Sequence, residues 1–521
     1  MKMCGIVVYV DPCINFVTAE TNFEMGKARG PDHSTFGAVA PNVWMGFHRL
    51  AINGLTNDSN QPLHVDGCFL VCNGEIYNHH ELYAQLGLTP TTQSDCEVIL
   101  HLYLRYGLAQ TLDLIDASEF AFVLYDSRTQ QVHAARDAHG VRPLYMARLE
   151  NMTVYASELK CLQIPGAVHA VFPPGCGQTY PAAFVPYCAF PARAPVRDAR
   201  GAVQHAMYEA VRKRVLNTDR PIACLLSGGL DSSIVASMVQ RCRVELGRMD
   251  PLETYSIGME GSEDLRHAAL MAVHLGSQHT SIVLSEAEFF NAIPEVVRAI
   301  ESYDTTTVRA SVGNYLVAKY IREHSDAKVI FNGDGADELA GGYLYFHYAP
   351  DVAARDAECK RLLRDIHCFD ALRSDKCIAS NGLEARTPFL DRAFVQTYLA
   401  IPMEERFPQN AQEKQLLRLA FYNYLPETIV HRRKEAFSDG VSGQRPWFET
   451  IQCLLNMDPN LAVEFANYST PINPPKTVEQ YYYRRIFDAC YQGAATIPYF
   501  WMPRFVDSDD CSARTLSIYK N

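Results

Sequence analysis

Residues 181–197, PAAFVPYCAFPARAPVR, divide this chain into two texts that cannot fold in the same way. Pro181, Pro186, Pro191 and Pro195 remove backbone donors, and no helical period runs through them, so the segment is expected to link rather than to build. Before it, short apolar or alternating runs follow one another with few helices between. Cys4–Val10, Val43–Ile52, Phe69–Tyr77, Phe120–Asp126, Val132–Asp137 and Thr153–Ser157 have strand length and end on turn residues. Two helical stretches interrupt them, His80–Leu86 and Asp95–Tyr106, the second with Val98, Ile99, Leu102 and Leu104. Mostly consecutive strands predict antiparallel sheets with helices packed outside, an α+β layout.

From about residue 200 the pattern changes. Predicted strands Pro221–Leu226, Glu253–Met259 and Lys328–Asn332 alternate with predicted helices from Ser232 to about Cys242, His267–Leu275 and Ala310–Glu323. Such alternation predicts an α/β doubly wound parallel sheet. Beyond 350 the text is mainly helical, with a polar, Pro-containing tail after 470. The expected organisation is a first domain over 4–185, a linker over 186–200 and a second domain over 201–521.

Composition narrows the partners. Hydrophobic residues are 48% and charged residues 20%, the balance of a globular chain. Lys plus Arg is 47 against 59 Asp plus Glu, a net charge of −12, so bulk nucleic-acid binding is not expected. A local basic pocket for one anionic ligand stays open. No run approaches the roughly 18 apolar residues of a membrane helix. Ile6–Val10 is also shorter than the apolar core of about 7–15 residues in a signal peptide, and reads as a first strand. The 16 cysteines are scattered, which fits reduced thiols in a cytoplasmic protein, and no second pair completes a zinc site with Cys68 and Cys72.

The most informative segment of the second half is Cys224-Leu225-Leu226-Ser227-Gly228-Gly229-Leu230-Asp231-Ser232-Ser233. Apolar strand residues run into Ser-Gly-Gly and then into a helix. Glycines there let the backbone approach a ligand, and N–H groups at a helix start cradle an anion. The spacing is not that of a Walker loop. A tight strand–helix turn is the plain alternative. Two further strand ends carry Gly or carboxylate turns, Ile257-Gly258 and Asn332-Gly333-Asp334-Gly335-Ala336-Asp337-Glu338. Ligands of open α/β sheets bind at such ends. Asp231 and Asp337 could jointly hold Mg²⁺, which takes one or two carboxylates plus phosphate oxygens. Dipole matching at a helix start explains Asp337-Glu338 equally well.

SGGLDS resembles the pyrophosphate loop of the N-type ATP pyrophosphatases. With Gly341-Gly342-Tyr343-Leu344-Tyr345-Phe346, Gly382-Leu383-Glu384-Ala385-Arg386-Thr387-Pro388-Phe389 and Arg433-Lys434-Glu435-Ala436-Phe437-Ser438-Asp439-Gly440, it is similar to glutamine-dependent asparagine synthetases over nearly the whole chain. In the first half, Cys4-Gly5-Ile6, Arg29-Gly30-Pro31-Asp32, His48-Arg49-Leu50-Ala51-Ile52, Asn73-Gly74-Glu75-Ile76-Tyr77-Asn78 and Ser94-Asp95-Cys96-Glu97 resemble the class II glutamine amidotransferases. Taken singly, each has an ordinary reading: Arg49 as a surface ion pair, Asn73-Gly74 as a turn, Cys4 as a small core residue.

The resemblance implies an Ntn-type αββα sandwich followed by a synthetase domain. It implies Cys4 as nucleophile, with its own α-amine as base, and Asn73 and Gly74 at the oxyanion. Arg49 would clamp the glutamine carboxylate and Glu75 and Asp95 would hold its ammonium, within a pocket that includes Leu50, Ala51, Ile52 and Asn53. ATP would lie on Leu225, Ile257, Asn332 and Gly333, with pyrophosphate on Ser227, Gly228, Gly229, Asp231 and Ser232, and Mg²⁺ on Asp231 and Asp337. Lys434 would neutralise charge at the α-phosphate, and Asp334 would serve the aspartyl-AMP step. The implied reaction turns ATP, aspartate and glutamine into AMP, diphosphate, asparagine and glutamate, with ammonia channelled internally. The implied partners are small molecules, with neither nucleic acid nor membrane, and a homodimer is compatible. An amide-forming relative of the β-lactam-synthetase kind, and a catalytically silent homologue, are the alternatives.

The text departs from the family twice. Met1-Lys2-Met3 precede a cysteine that the family places directly after its initiator Met. Translation from Met3, another processing step, or an impaired glutaminase would each account for that; the expectation is an active form that begins at Cys4. The third predicted strand ends in Asn332-Gly333-Asp334-Gly335, where the family usually reads Ser-Gly-Glu-Gly. Asp334 is one methylene shorter, and Asn332 is expected to compensate with a donor and an acceptor of its own.

Overall fold

The computed structural model describes residues 4–116, 118–188, 196–408, 412–508 and 510–520. Its first strand, Gly5–Val10, is buried along its whole length because both of its faces are covered. Successive side chains of a strand point to opposite faces. Ile6, Val8 and Val10 accordingly meet Val71, Ala121 and Val123 between two sheets, while Val7 and Tyr9 face Ala19 and Phe23 of the helix Phe16–Glu24.

Both sheets have six strands, all paired antiparallel. The first runs in the order Val168–Val171, Tyr145–Leu149, Met152–Ala156, Gly5–Val10, Val43–Arg49, His33–Ala40. The second runs Val185–Pro186, Cys176–Thr179, Gln131–Arg136, Glu119–Asp126, Cys68–Glu75, Leu63–Val65. Helices His79–Leu86 and Val98–Leu114 cover the outer face of the second sheet through Leu82, Leu102 and Leu112. The expected αββα sandwich is therefore present.

The differences from the sequence reading lie at edges and ends. His33–Ala40 was not predicted because, as an edge strand, it shows no clean burial alternation. The expected strand Val43–Ile52 stops at Arg49, which frees residues 50–53 to form a loop. The expected helix Asp95–Tyr106 opens as a tight turn over Asp95–Glu97 and continues to Leu114 across a kink at Gly107, φ +78°. Of the expected linker 186–200, residues 189–195 lie outside the described residues. Ala199 already begins the helix Ala199–Leu216, whose start is capped by Asp198 accepting from the Gly201 N–H.

The second half is built on five parallel strands: β1 (Ile222–Leu225), β2 (Glu253–Gly258), β3 (Gln278–Val283), β4 (Val329–Phe331) and β5 (Glu384–Arg386). Their spatial order is β3-β2-β1-β4-β5. The order reverses at β1, so a ligand crevice is expected outside the carboxyl ends of β1 and β4. The sequence reading found β1, β2 and β4. It missed β3, a largely polar edge, and β5, only three residues long. The polar text after 470 contains a helix, Val478–Cys490, that buries Tyr483 and Phe487. Among the described residues, no helix is long and apolar enough to cross a membrane.

Buried charges join the halves. Glu119, on the second sheet, accepts from Arg142 and Arg214 at 3.0 Å each and from the Thr387 N–H, just past β5, at 3.1 Å. Its carboxyl is held below the usual range because the two guanidiniums outweigh the effect of burial. Removing one partner of a buried ion pair costs about 3–5 kcal/mol. Glu119→Ala should therefore lower the thermal unfolding midpoint by several degrees in scanning calorimetry, and Glu119→Gln, which keeps the side-chain volume and one of the two acceptor oxygens, should lower it less.

Candidate active sites

Cys4 sits at the mouth of the first sandwich. Its Sγ accepts from the Leu50 N–H at 3.4 Å and faces the Leu50 carbonyl at 3.5 Å. Burial pushes the thiol up to about 12, against the opposing pull of the Leu50 backbone and Arg49. At neutral pH the thiol is protonated, so attack needs a base within reach. The Cys4 carbonyl accepts from Arg29 Nε at 2.9 Å. With the Asn73 amide in the orientation that satisfies both its ends, Nδ2 also donates to that carbonyl at 3.0 Å, and Oδ1 accepts from Arg29 at 3.3 Å.

Asn73 and Gly74 lie in the strand Cys68–Glu75, near its end, opposite Ala121 and Phe120, rather than in a turn. Gly74 has φ +149°, and a Cβ there would lie 2.3 Å from the Glu119 carbonyl oxygen, so only glycine fits. Arg49 ends its strand and turns into the following loop. It donates to Thr56 O and Asn60 Oδ1 at 2.7 Å each, to Gly54 O, and to Asn53 O at 3.4 Å. In this conformation it shapes the 53–60 loop.

Glu75 and Asp95 converge beside it. The Glu75 carboxylate accepts from Asn53 and from Asn217 at 2.6 Å each, and Asn217 also reaches Asp95 at 3.4 Å. Asp95 is fixed by the Ile76 N–H at 2.6 Å. Burial, and then the charges of Asp95 and Glu384, raise the Glu75 carboxyl well above the usual range, although Arg386 lies 3.5 Å away. Asn217 and Arg386 belong to the second half, so that half completes this pocket. The segment Leu50-Ala51-Ile52 is tied to it as well. Ala51 O accepts from Arg220 Nε at 2.8 Å, and Ile52 O from the Asp219 N–H at 3.0 Å.

The second site lies where the topology places it. The loop after β1 turns at Gly228, φ +68°, where a Cβ would fall 2.3 Å from the backbone of His267. The helix Leu230–Glu245 then starts at Gly229 with no side chain capping it, so its first N–H groups are left to an anion. Ser227 and Ser232 meet across the turn at 3.2 Å. Leu225, Ile257, Asn332 and Gly333 line the same crevice. Gly333 lets the end of β4 approach the helix start, since a Cβ there would sit 2.8 Å from the Ser232 nitrogen.

The charged residues of the crevice are paired. Asp337 binds Lys434 at 2.6 Å and Lys414 at 2.6 Å, and the two ammoniums hold its carboxyl well below the usual range despite burial. Lys414 also reaches Asp231 at 2.5 Å. Asp334 accepts from Arg373 at 2.8 Å, while its Oδ2 is buried without a hydrogen-bond partner among the described residues. Asn332 donates to Ser374 at 2.6 Å and accepts from the Asp334 N–H at 3.2 Å, so the donor and acceptor expected to compensate toward a ligand are used to shape this turn. Asp231 Oδ1 is likewise buried and unpartnered. No group of three or more His, Cys, Asp or Glu able to hold a metal occurs among the described residues. Two carboxylates facing a phosphate loop do suit Mg²⁺, which completes its octahedral shell with phosphate oxygens and water.

Residues 202–365 and 351–506 match the asparagine synthase family, and residues 3–175 match a glutamine amidotransferase domain. The chain is 40% identical to the glutamine-hydrolysing asparagine synthetase of Gallus gallus over 100% of its own length and 99% of that protein's. The same figure relates it to the Homo sapiens enzyme over 100% and 99%, and to that of Bos taurus over 99% and 99%. The chain belongs to the asparagine synthase family.

Sequence reasoning missed several members of these sites. Arg29 stood inside a quoted motif, but nothing in the text shows that it reaches the Cys4 carbonyl. Asn217 and Arg386 are distant in sequence from the pocket they complete. Lys414, in a charged stretch, reads as a surface residue; only its left-handed backbone, φ +57°, turns it inward. Arg432, which donates to the Ser227 carbonyl at 3.0 Å and pairs with Asp264, gave no signal beyond its charge.

The raised Glu75 carboxyl yields a prediction. Below its raised pKa the group is neutral and offers no charge to a substrate ammonium; above it the group is ionised. A bound α-ammonium therefore expels the proton. In the Cys4→Ala background, which prevents turnover, glutamine binding at a pH between the raised and the ordinary carboxyl range should release protons, read by calorimetry in buffers of different ionisation enthalpy. Glu75→Gln should abolish that release and weaken binding.

Proposed function

We propose that this chain makes L-asparagine from L-aspartate, ATP and glutamine. The observation that carries the reading is the shared pocket: Asn217 and Arg386 of the synthetase half complete the Glu75–Asp95 pocket of the amidotransferase half. A chain that had lost glutamine use would have no reason to keep Cys4, Asn73, Gly74, Glu75 and Asp95 assembled around it.

In the first half the Cys4 sulfur attacks the glutamine amide carbon. Its proton passes to the α-amine that Cys4 carries once the residues before it are removed, a base with a pKa of about 8. Asn73 and the Gly74 N–H face the oxyanion. Arg49 exchanges loop carbonyls for the substrate carboxylate, a charged acceptor that binds guanidinium more strongly. Glu75 and Asp95 hold the ammonium. Collapse of the adduct returns the proton to the leaving nitrogen as ammonia, and water then releases glutamate from the thioester.

In the second half ATP lies along Leu225, Ile257, Asn332 and Gly333, with its pyrophosphate on Ser227, Gly228, Gly229, Asp231 and Ser232. The aspartate β-carboxylate attacks the α-phosphorus and pyrophosphate leaves, so a poor electrophile becomes an acyl adenylate. Lys434 neutralises charge at the α-phosphate, and Asp334 serves this step through its unpartnered oxygen. Asp231 and Asp337 would hold Mg²⁺, which when bound neutralises the departing pyrophosphate. Ammonia, carried internally between the halves, attacks the acyl carbon and AMP leaves. The reading places the protein in the cytoplasm, and a homodimer is its simplest assembly.

Product analysis with labelled glutamine tests the whole reading: asparagine, AMP, diphosphate and glutamate should appear together. Cys4→Ala should abolish glutamine-dependent synthesis and leave synthesis from ammonium salts intact. N-terminal sequencing of the active protein should find Cys4 first; full glutamine activity with Met1 in place would overturn the role of the α-amine. Asp334→Ala should abolish aspartate-dependent exchange of labelled pyrophosphate into ATP, while glutamine hydrolysis persists.

A further inference from the structure

Lys414 stands between the two carboxylates assigned above to a metal. Its Nζ lies 2.5 Å from Asp231 Oδ2 and 2.6 Å from Asp337 Oδ1, while Lys434 holds the other Asp337 oxygen at 2.6 Å. The Lys414 side chain is 1% exposed. Its position is built. The residue adopts a left-handed backbone just before the helix Gln415–Ala420, and a Cβ at the neighbouring Gly342 would fall 2.2 Å from Lys414 Cε and 2.0 Å from Asp337 Oδ1. The protein has left a glycine's width so that this ammonium can lie against both acids.

Two carboxylates and two ammoniums make a neutral cluster. A divalent ion bridging Asp231 and Asp337 would have to stand about 2.0–2.1 Å from their oxygens. That is the space the ammonium fills, so ion and ammonium exclude each other. Adding two positive charges to a neutral, water-poor cluster is also unfavourable unless anions accompany them. A nucleotide triphosphate supplies those anions, and a flexible four-carbon stem lets the ammonium follow them.

We propose that Lys414 is a stand-in cation: it occupies the metal position between Asp231 and Asp337 while the site lacks nucleotide, admits the divalent ion only together with the triphosphate, and then moves onto the pyrophosphate oxygens. The inference rests on the reading of Asp231 and Asp337 as the metal carboxylates. It makes Lys414 a second cation for the leaving group, beside Lys434 at the α-phosphate.

The test uses the full chain and Mn²⁺ as the probe, with bound ion read by electron paramagnetic resonance. Without nucleotide, the wild type should bind no Mn²⁺ at this site, and it should bind one per chain when a non-hydrolysable ATP analogue is added. Lys414→Met and, as a neutral variant that keeps a polar end, Lys414→Gln should each gain one Mn²⁺ per chain without nucleotide. Adding Asp231→Asn to either should remove the gained ion. Lys414→Arg, which keeps the cation, should exclude Mn²⁺ as the wild type does. If the wild type binds Mn²⁺ without nucleotide as tightly as the variants, or if both neutral variants gain nothing while the wild type binds the ion with nucleotide, the stand-in role is overturned and the metal reading survives. If Asp231→Asn leaves nucleotide-dependent Mn²⁺ binding of the wild-type background unchanged, the metal reading itself falls, and the stand-in role with it.

Discussion

Arg29 of the first half and Asp375 of the second share hydrogen bonds of 2.7 and 3.1 Å in a place where neither meets water. Much of the chemistry is referenced to that contact. The Arg29 guanidinium also carries the Cys4 carbonyl and pairs with Glu158, so Cys4 is located by a residue anchored in the other half. Asp375 in turn faces Arg142, Arg142 binds Glu119, and Glu119 binds Arg214 and the backbone after β5. Each of these charges was taken out of water at a cost of several kcal/mol, and each recovers that cost only while its partners stay in register. A small rotation of one half against the other would break several pairs at once. The lattice therefore need not add net stability to fix the relative orientation of two catalytic centres.

The two centres manage buried charge in opposite ways. Around Cys4, burial pushes the thiol up to about 12, and burial together with acidic neighbours raises the Glu75 carboxyl. In the second crevice the effect of burial on Asp337 is overcome by the ammoniums of Lys414 and Lys434, which hold its carboxyl low. That site is already organised for a polyanion and a cation to exchange partners with it.

Much of the architecture is legible in the text, because it depends on local periodicity. The buried run Gly5–Val10, the strand–loop–helix of SGGLDS and the proline-bearing boundary all carry their own signals. What escapes is what tertiary context decides. The strand His33–Ala40 exists because an edge is available beside Val43–Arg49, and β5 is three residues that become a strand only against β4. The early end of the strand at Arg49 follows from a guanidinium that bonds to its own loop, which no periodicity encodes.

The functional residues divide along the same line. Cys4, Asn73, Gly74, Asp231 and Asp337 are visible because each stands in a short motif within or soon after a predicted strand. Asn332 lines the crevice, but its donor and acceptor are spent on Ser374 and on the Asp334 N–H. The missed cations have a common physical character. Arg29 and Lys414 answer charges that lie far away in sequence, and Arg386, paired with Glu384 two residues away, also faces the distant Glu75, so their placement depends on the three-dimensional sum of charge. A buried acid announces a requirement for a cation but not which residue supplies it; Asp231 and Asp337 could be read from their motifs, whereas the lysine that lies between them, separated from Asp337 by the length of several helices, could be found only once the chain had folded.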